Sequence, residues 1–307
     1  MNQYLTKALL CLTLLLGTVL GHAQATTDAD ADAKLKAYKA KVEELLKSLK
    51  YQQGEIDLPG GIAKLTVPKE FSYLSPDDAE TVLVKLWGNP ATDHKLLGLL
   101  LPAGMTPMSS NSWVVTIDYT EDGYVKDDDA AKINYDDLLK KMQGSIAEEN
   151  PERQKAGYPQ ITLVGWAAPP HYDATTHKLY WAKNLKFEGE GGNTLNYSIR
   201  ILGRKGVLEL NAVADLQQFK EIDQQTPQIL SMVDFKEGSR YTDFDAKTDK
   251  IAKYGIATLI GGGALAFAAK AGLLKGLWLG LLAFKKFIIV GVIAAGAFIR
   301  KLFARKS

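Results

Sequence analysis

KLYWAKNLKFEGEGGNTLNYSIRILGRKGVLELNAVADLQQFKEIDQQTPQILSMV, residues Lys178 to Val233, is the stretch that decides the fold. Lys178 to Phe187, Thr194 to Leu202 and Val207 to Val213 read as three extended runs. Gly203-Arg204-Lys205-Gly206 joins the last two as a hairpin. Leu216 to Val233 then reads as a helix. Three consecutive strands followed by a helix predict an antiparallel meander with the helix laid across it, an α+β layout.

The same grammar extends toward the N-terminus. Leu96 to Leu101, Trp113 to Tyr119 and Ile161 to Trp166 look extended, and Tyr135 to Glu149 looks helical. Gly54 to Val67 is a strand, a Pro-Gly-Gly turn and a strand. Ser75-Pro76-Asp77 starts a helix with a capping Ser, Pro at the first position and acids in the first turn; it stops at Gly88-Asn89-Pro90. Asp28 to Gln52 carries Leu35, Tyr38, Val42, Leu45, Leu46 and Leu49 at three and four, the spacing of an amphipathic helix. No internal repeat is present. The fold class is an antiparallel sheet meander with flanking helices over residues 26–250. Asp243 to Lys250 reads as a polar link into a C-terminal membrane segment.

Charge is divided sharply along the chain. All 35 acidic residues lie between positions 26 and 249, together with 26 of the 37 basic ones, so this part carries −9. The 58 residues after Asp249 hold ten Lys or Arg and no acid. A tail that is both apolar and purely basic predicts a membrane segment with its cytoplasmic flank. An acidic main domain argues against nucleic acid as a partner and against clinging to anionic headgroups.

Residues 1–25 read as a secretory signal peptide: Lys7, an apolar core from Ala8 to Gly21, and small residues at Ala23-Gln24-Ala25. An uncleaved signal anchor is the alternative, and either exports the domain. Cys11 is the only cysteine, so a processed domain has no disulfide to draw on.

Ile251 to Ala269 is 19 residues, about 28 Å as a helix, the length of a transmembrane span. Residues 270–307 are harder. Gly276 to Ile299 is apolar, but Lys285 and Lys286 at its middle oppose a second crossing by about 5–7 kcal/mol. One crossing leaves Lys270, Lys275, Arg300, Lys301, Arg305 and Lys306 on the cytoplasmic side, with the last segment lying in the interface or re-entering it. A helical hairpin is the alternative. Gly272, Gly276 and Gly280 have the spacing that lets helices self-associate.

Asp118 to Asp129 (DYTEDGYVKDDD) has calcium-loop spacing. Asp118, Thr120, Asp122 and Asp129 would offer side-chain oxygens, Tyr124 its carbonyl, Gly123 the turn and Val125 the apolar anchor. A strand precedes it where a calcium loop has a helix. The other reading is a β-hairpin with Glu121-Asp122-Gly123 at its tip and a solvated acidic start to the next helix. His171 and His177 are six apart in a loop of prolines and threonines, unlike a zinc site; His94 stands alone. Trp113, Trp166 and Trp181 lie on strands and read as core. No nucleophile elbow, phosphate-cradling loop or cysteine nucleophile is present, so no catalytic, cofactor-binding or metal residue is assigned.

LWGNP (86–90), DYTEDGYVKDDDA (118–130), YPQITLVGWAAPPHYD (158–173), HKLYWAKNL (177–185), LNYSIRILGRKGVLELN (195–211) and YGIATLIGGG (254–263) resemble the bacterial membrane-anchored proteins of domain-of-unknown-function family 2167. The resemblance implies an exported domain tethered to an inner membrane. It implies no activity. The layout is also similar, at the level of fold only, to the photosystem-associated and Ran-binding α/β/α sandwiches. The expectation is a non-enzymatic periplasmic binding or scaffolding domain with an envelope protein partner. An envelope hydrolase and a calcium module at residues 118–129 are the alternatives.

Overall fold

The computed structural model describes residues 32–261, apart from 34, 90, 92–95, 110, 156 and 190. The chain divides into two units, Met1–Leu49 and Lys50–Ser307. In the first, residues 35–48 form helix α1. Leu35, Val42, Leu45 and Leu46 are its half-buried positions, which is the predicted stripe; Tyr38 stays exposed. Lys41–Glu44 (3.0 Å) and Lys47–Glu43 (2.7 Å) ion pairs run along its solvated face and contribute only tenths of a kcal/mol.

In the second unit the elements follow in the order β1 (Gly54–Asp57), β2 (Ala63–Val67), β3 (Phe71–Leu74), α2 (Pro76–Glu80), β4 (Gly98–Pro102), β5 (Val114–Thr120) and β6 (Tyr124–Lys126). Then come α3 (Tyr135–Lys155), β7 (Ile161–Asp173), β8 (Lys178–Phe187), β9 (Asn193–Leu202), β10 (Val207–Asp215), α4 (Phe219–Met232), β11 (Val233–Phe235), β12 (Ile251–Gly255) and α5 (Ile256–Gly261). Seven strands form one antiparallel sheet in the order β3-β4-β5-β10-β9-β8-β7. The expected meander is its larger half, one strand longer than anticipated because β7 pairs on β8 as well. The Gly203–Gly206 hairpin closes with Leu202 opposite Val207 and a 2.8 Å bond from the Gly203 N–H to the Gly206 carbonyl.

Alternation divides the sheet into two faces. On the first, Val115, Ile117, Tyr197, Ile199, Leu208, Leu210 and Ala212 meet Ile222, Ile229 and Met232 of α4 and Leu65 and Phe235 of the small sheet β1-β2-β11. Each such side chain, fully buried, stabilises the fold by about 1.5–3 kcal/mol. Trp113 locks the layer: its ring stands edge-on to Phe71 at 5.9 Å and its Nε1–H donates to Glu221 of α4 at 3.2 Å. On the second face, Leu163, Leu185 and Phe187 receive Met142 of α3. Leu179, Leu202 and Val207 receive Val125, Tyr241 and α5.

α2 begins as the Ser75-Pro76 signature predicts, with the Ser75 hydroxyl accepting from the Asp78 N–H. It widens into a π-helical turn over Thr81–Leu86, closed by the Trp87 N–H on the Val82 carbonyl at 2.9 Å.

Three expectations are corrected. Glu121-Asp122-Gly123 is not a hairpin tip. β5 already has β4 and β10 on its two edges, so the chain leaves the sheet and β6 pairs in parallel with β12. Ile251–Gly255, expected as the first turns of a helix, is that strand; the helix starts at Ile256. His171 is not in a loop, because β7 continues through the two prolines to Asp173 with register shifts along its pairing with β8.

Candidate functional site

The acidic stretch Asp118–Asp129 is divided among several partners. Asp118 lies near the end of β5 and accepts from the Tyr119 N–H at 2.7 Å. The Thr120 hydroxyl donates to Glu209 at 2.8 Å. Asp122 accepts from the Tyr254 hydroxyl at 2.9 Å. Asp129 accepts from the backbone N–H groups of Ile256 and Ala257 at 3.0 and 3.3 Å. Among the described residues no three His, Cys, Asp or Glu side chains converge as metal ligands. The oxygens that a calcium loop would turn inward are spent on holding other parts of the chain.

Two of them, Asp122 and Asp129, hold the segment 254–257, and backbone bonds hold the residues before it. The Tyr124 N–H donates to the Lys250 carbonyl at 2.8 Å and the Gly123 N–H to Lys205 at 2.9 Å. Gly123 sits at φ +112°, and a Cβ there would stand 2.6 Å from the Lys250 carbonyl oxygen. Gly255 has no room either: a Cβ would lie 2.7 Å from the Asp129 carboxylate. The predicted polar link is fastened just before this point. Arg204 grips Asp249 through two bonds, 2.6 and 3.1 Å, and Asp249 also accepts from the Asp245 N–H at 2.8 Å. Those bonds, led by the one from Arg204, hold the Asp249 carboxyl below the usual carboxylate range. Together these contacts form a clasp on the chain where the basic tail begins.

Aromatic rings line the clasp. Tyr124 stacks on Tyr241 at 4.3 Å and on Phe244 at 3.9 Å, while the Tyr241 hydroxyl donates to the Val125 carbonyl at 2.9 Å. His177 lies against the Tyr241 ring at 4.1 Å with φ 53°, the one non-glycine in the left-handed region among the described residues. Its Nδ1 is 3.2 Å from the Tyr172 hydroxyl, which donates to Asp127 at 2.6 Å. Burial, and then the Asp127 carboxylate, push the Tyr172 phenol up, so it remains a neutral donor. His171 faces a different partner, Tyr180, at 5.1 Å.

A second feature was not legible as a site. On the second face of the large sheet, the side chains opposite one another in β5, β10, β9 and β8 form polar rows. Asp118, Glu209 and Arg200 make one; Thr116, Asn211 and Ser198 make the next; Asn196 and Lys183 make the third. Ser198 is 1 % exposed, Thr116 and Asn196 3 % and Arg200 9 %. Arg200 pairs with Glu209 at 2.9 Å, bonds Asn211 at 3.2 Å and lies 5.1 Å over the Trp181 ring. In the sequence N-x-S-x-R of β9 looks like the solvent side of a strand. The alternation was visible; the burial of its polar half was not.

The remaining expected residues scatter. Trp113 and Trp181 are buried, as read, and Trp166 is half-buried with its indole N–H on the Tyr135 carbonyl at 3.4 Å. His94, the expected signal peptide at 1–25, residues 262–307 and with them Gly272, Gly276 and Gly280 lie outside the described residues. Among the described residues no helix is long and apolar enough to cross a membrane.

The fold therefore defines an α+β protein with antiparallel sheets and peripheral helices. The family described as "Protein of unknown function (DUF2167)" matches residues 50–296, and the chain belongs to it. No curated protein matches the chain. Among solved structures it is similar to the solution structure of cyanobacterial PsbP (CyanoP) from Synechocystis sp. PCC 6803. That likeness has a TM-score of 0.33 and 7 % identity over 62 % of this chain and 93 % of the other, too distant to support an argument.

Proposed function

We propose that this chain is a non-enzymatic domain of the periplasm, tethered to the inner membrane, that binds or scaffolds another envelope component. The observation that carries the reading is the clasp. Lys250, Tyr254, Ile256 and Ala257, at the start of the acid-free tail, are hydrogen-bonded to Asp122–Asp129 of the domain. A free linker would let the domain tumble above the membrane. A fastened one fixes the domain's orientation to its anchor, which suits a scaffold that must present one surface to a partner. The split of charge, −9 over the domain and ten basic residues after Asp249, fits the same reading.

Affinity capture of the full chain from detergent-solubilised membranes, with and without the Gly123→Ala change that loosens the clasp, tests it. The reading expects a reproducible envelope partner that is lost or weakened in the variant. Absence of any reproducible partner would sink it.

A further inference from the structure

The second sheet face carries two donors that the described residues leave unanswered. The first is the Lys183 ammonium. Lys183 is half-buried, opposite Asn196 and Trp166 in the sheet, and no hydrogen bond or ion pair reaches it among the described residues. The second is the Trp181 indole N–H, which is buried without an acceptor among the described residues, on a residue only 1 % exposed. Trp181 and Lys183 are two apart on β8, so they stand on the same face about 7 Å from one another along the strand. Buried donors in native structures nearly always have acceptors, and a buried charge without a counter-charge is costly.

The surroundings deepen the deficit. The Glu209 carboxylate of the same sheet face is already engaged by Arg200 and by the Thr120 hydroxyl. Asn196 takes the Ser198 hydroxyl on its own carbonyl oxygen at 3.4 Å. Burial, and after it the positive charge of Arg200, bring the Lys183 ammonium down to about 8, and no carboxylate acts in the other direction. A second cation beside the first is the reverse of what stability alone would select.

We propose that Lys183, with the Trp181 indole N–H and the amide of Asn196, forms a binding site for an oxyanion of the phosphate type. The site carries an unpaired cation and an unpaired indole donor on one sheet face, and the missing acceptor is what a phosphate group supplies. Free inorganic phosphate and the phosphate of an anionic lipid headgroup share that chemistry. The proposal is independent of the scaffold reading, since it needs neither the tail nor a protein partner.

The test is thermal denaturation of the full chain in a neutral detergent, titrated with inorganic phosphate or with short-chain phosphatidylglycerol, each against sodium chloride at equal ionic strength. A ligand that binds the folded state raises the Tm saturably. The expected result is such a rise with at least one probe in the wild type and in Lys183→Arg. In Lys183→Gln the midpoint concentration should move up by roughly tenfold or more, as loss of a charged hydrogen bond implies. Response to phosphate identifies the free anion as sufficient; response to the lipid alone identifies the headgroup. Trp181→Phe removes only the indole donor and keeps the test decisive should Lys183→Gln fail to fold; it too should weaken the response. No rise beyond the chloride control with either probe, or wild-type responses in the variants, would overturn the proposal.

Discussion

At Gly123 and Asp249 single residues decide whether the clasp holds. Gly123 stands at φ +112° with its missing Cβ aimed at the Lys250 carbonyl. Gly123→Ala is therefore expected to destabilise the chain by about 1–3 kcal/mol, measured as a lower urea midpoint, through strain and loss of the 250–257 contacts. Asp249 acts through its charge. Its carboxyl is held below the ordinary value by Arg204, so its contribution is present above the unfolded aspartate pKa of about 3.9 and fades as pH falls through the lower folded value. The Tm difference between wild type and Asp249→Asn should be largest at neutral pH and shrink below about pH 4. A difference that grows with acid would show that Arg204 is not the cause. Tyr73 and Tyr119 add no pH dependence near neutrality: burial pushes both phenols up to about 12.

At the scale of elements, Trp113 and α4 carry the first face. Trp113→Ala removes a fully buried ring and orphans its bond to Glu221, and should cost about 3–5 kcal/mol in equilibrium unfolding. The same comparison shows what periodicity can and cannot tell. β8, α4 and the β9–β10 hairpin stood where Lys178–Val233 placed them, because their alternation and turn residues are local facts. β12 was read as helix because Ile251, Ala252 and Tyr254 are apolar enough for a span. What makes them a strand is β6, more than a hundred residues away, and no local signal encodes that partner. The supposed hairpin at Glu121–Gly123 failed for a related reason: both edges of β5 were taken by distant strands. Even the candidate ligands of the acidic stretch were legible only as acids. The separate partners of Asp122 and Asp129, Tyr254 and the start of α5, come from tertiary contact. Lys183 and Trp181 were two ordinary positions of an extended run until the sheet placed them beside Asn196 and Arg200.

For the whole molecule, the account joins an acidic α+β domain to a basic apolar tail through a fastened junction. Central to the proposed function is orientation, with the domain outside and the C-terminus inside. Labelling with a membrane-impermeant maleimide tests this directly, in cells stripped of their outer layer and with Cys11 replaced by Ser. Two full-length variants suffice, Lys247→Cys at the exposed end of the domain and Ser307→Cys at the chain terminus. The account predicts that position 247 labels in intact spheroplasts and that position 307 labels only after the membrane is permeabilised. Labelling of position 307 in intact spheroplasts, or protection of position 247, would contradict it.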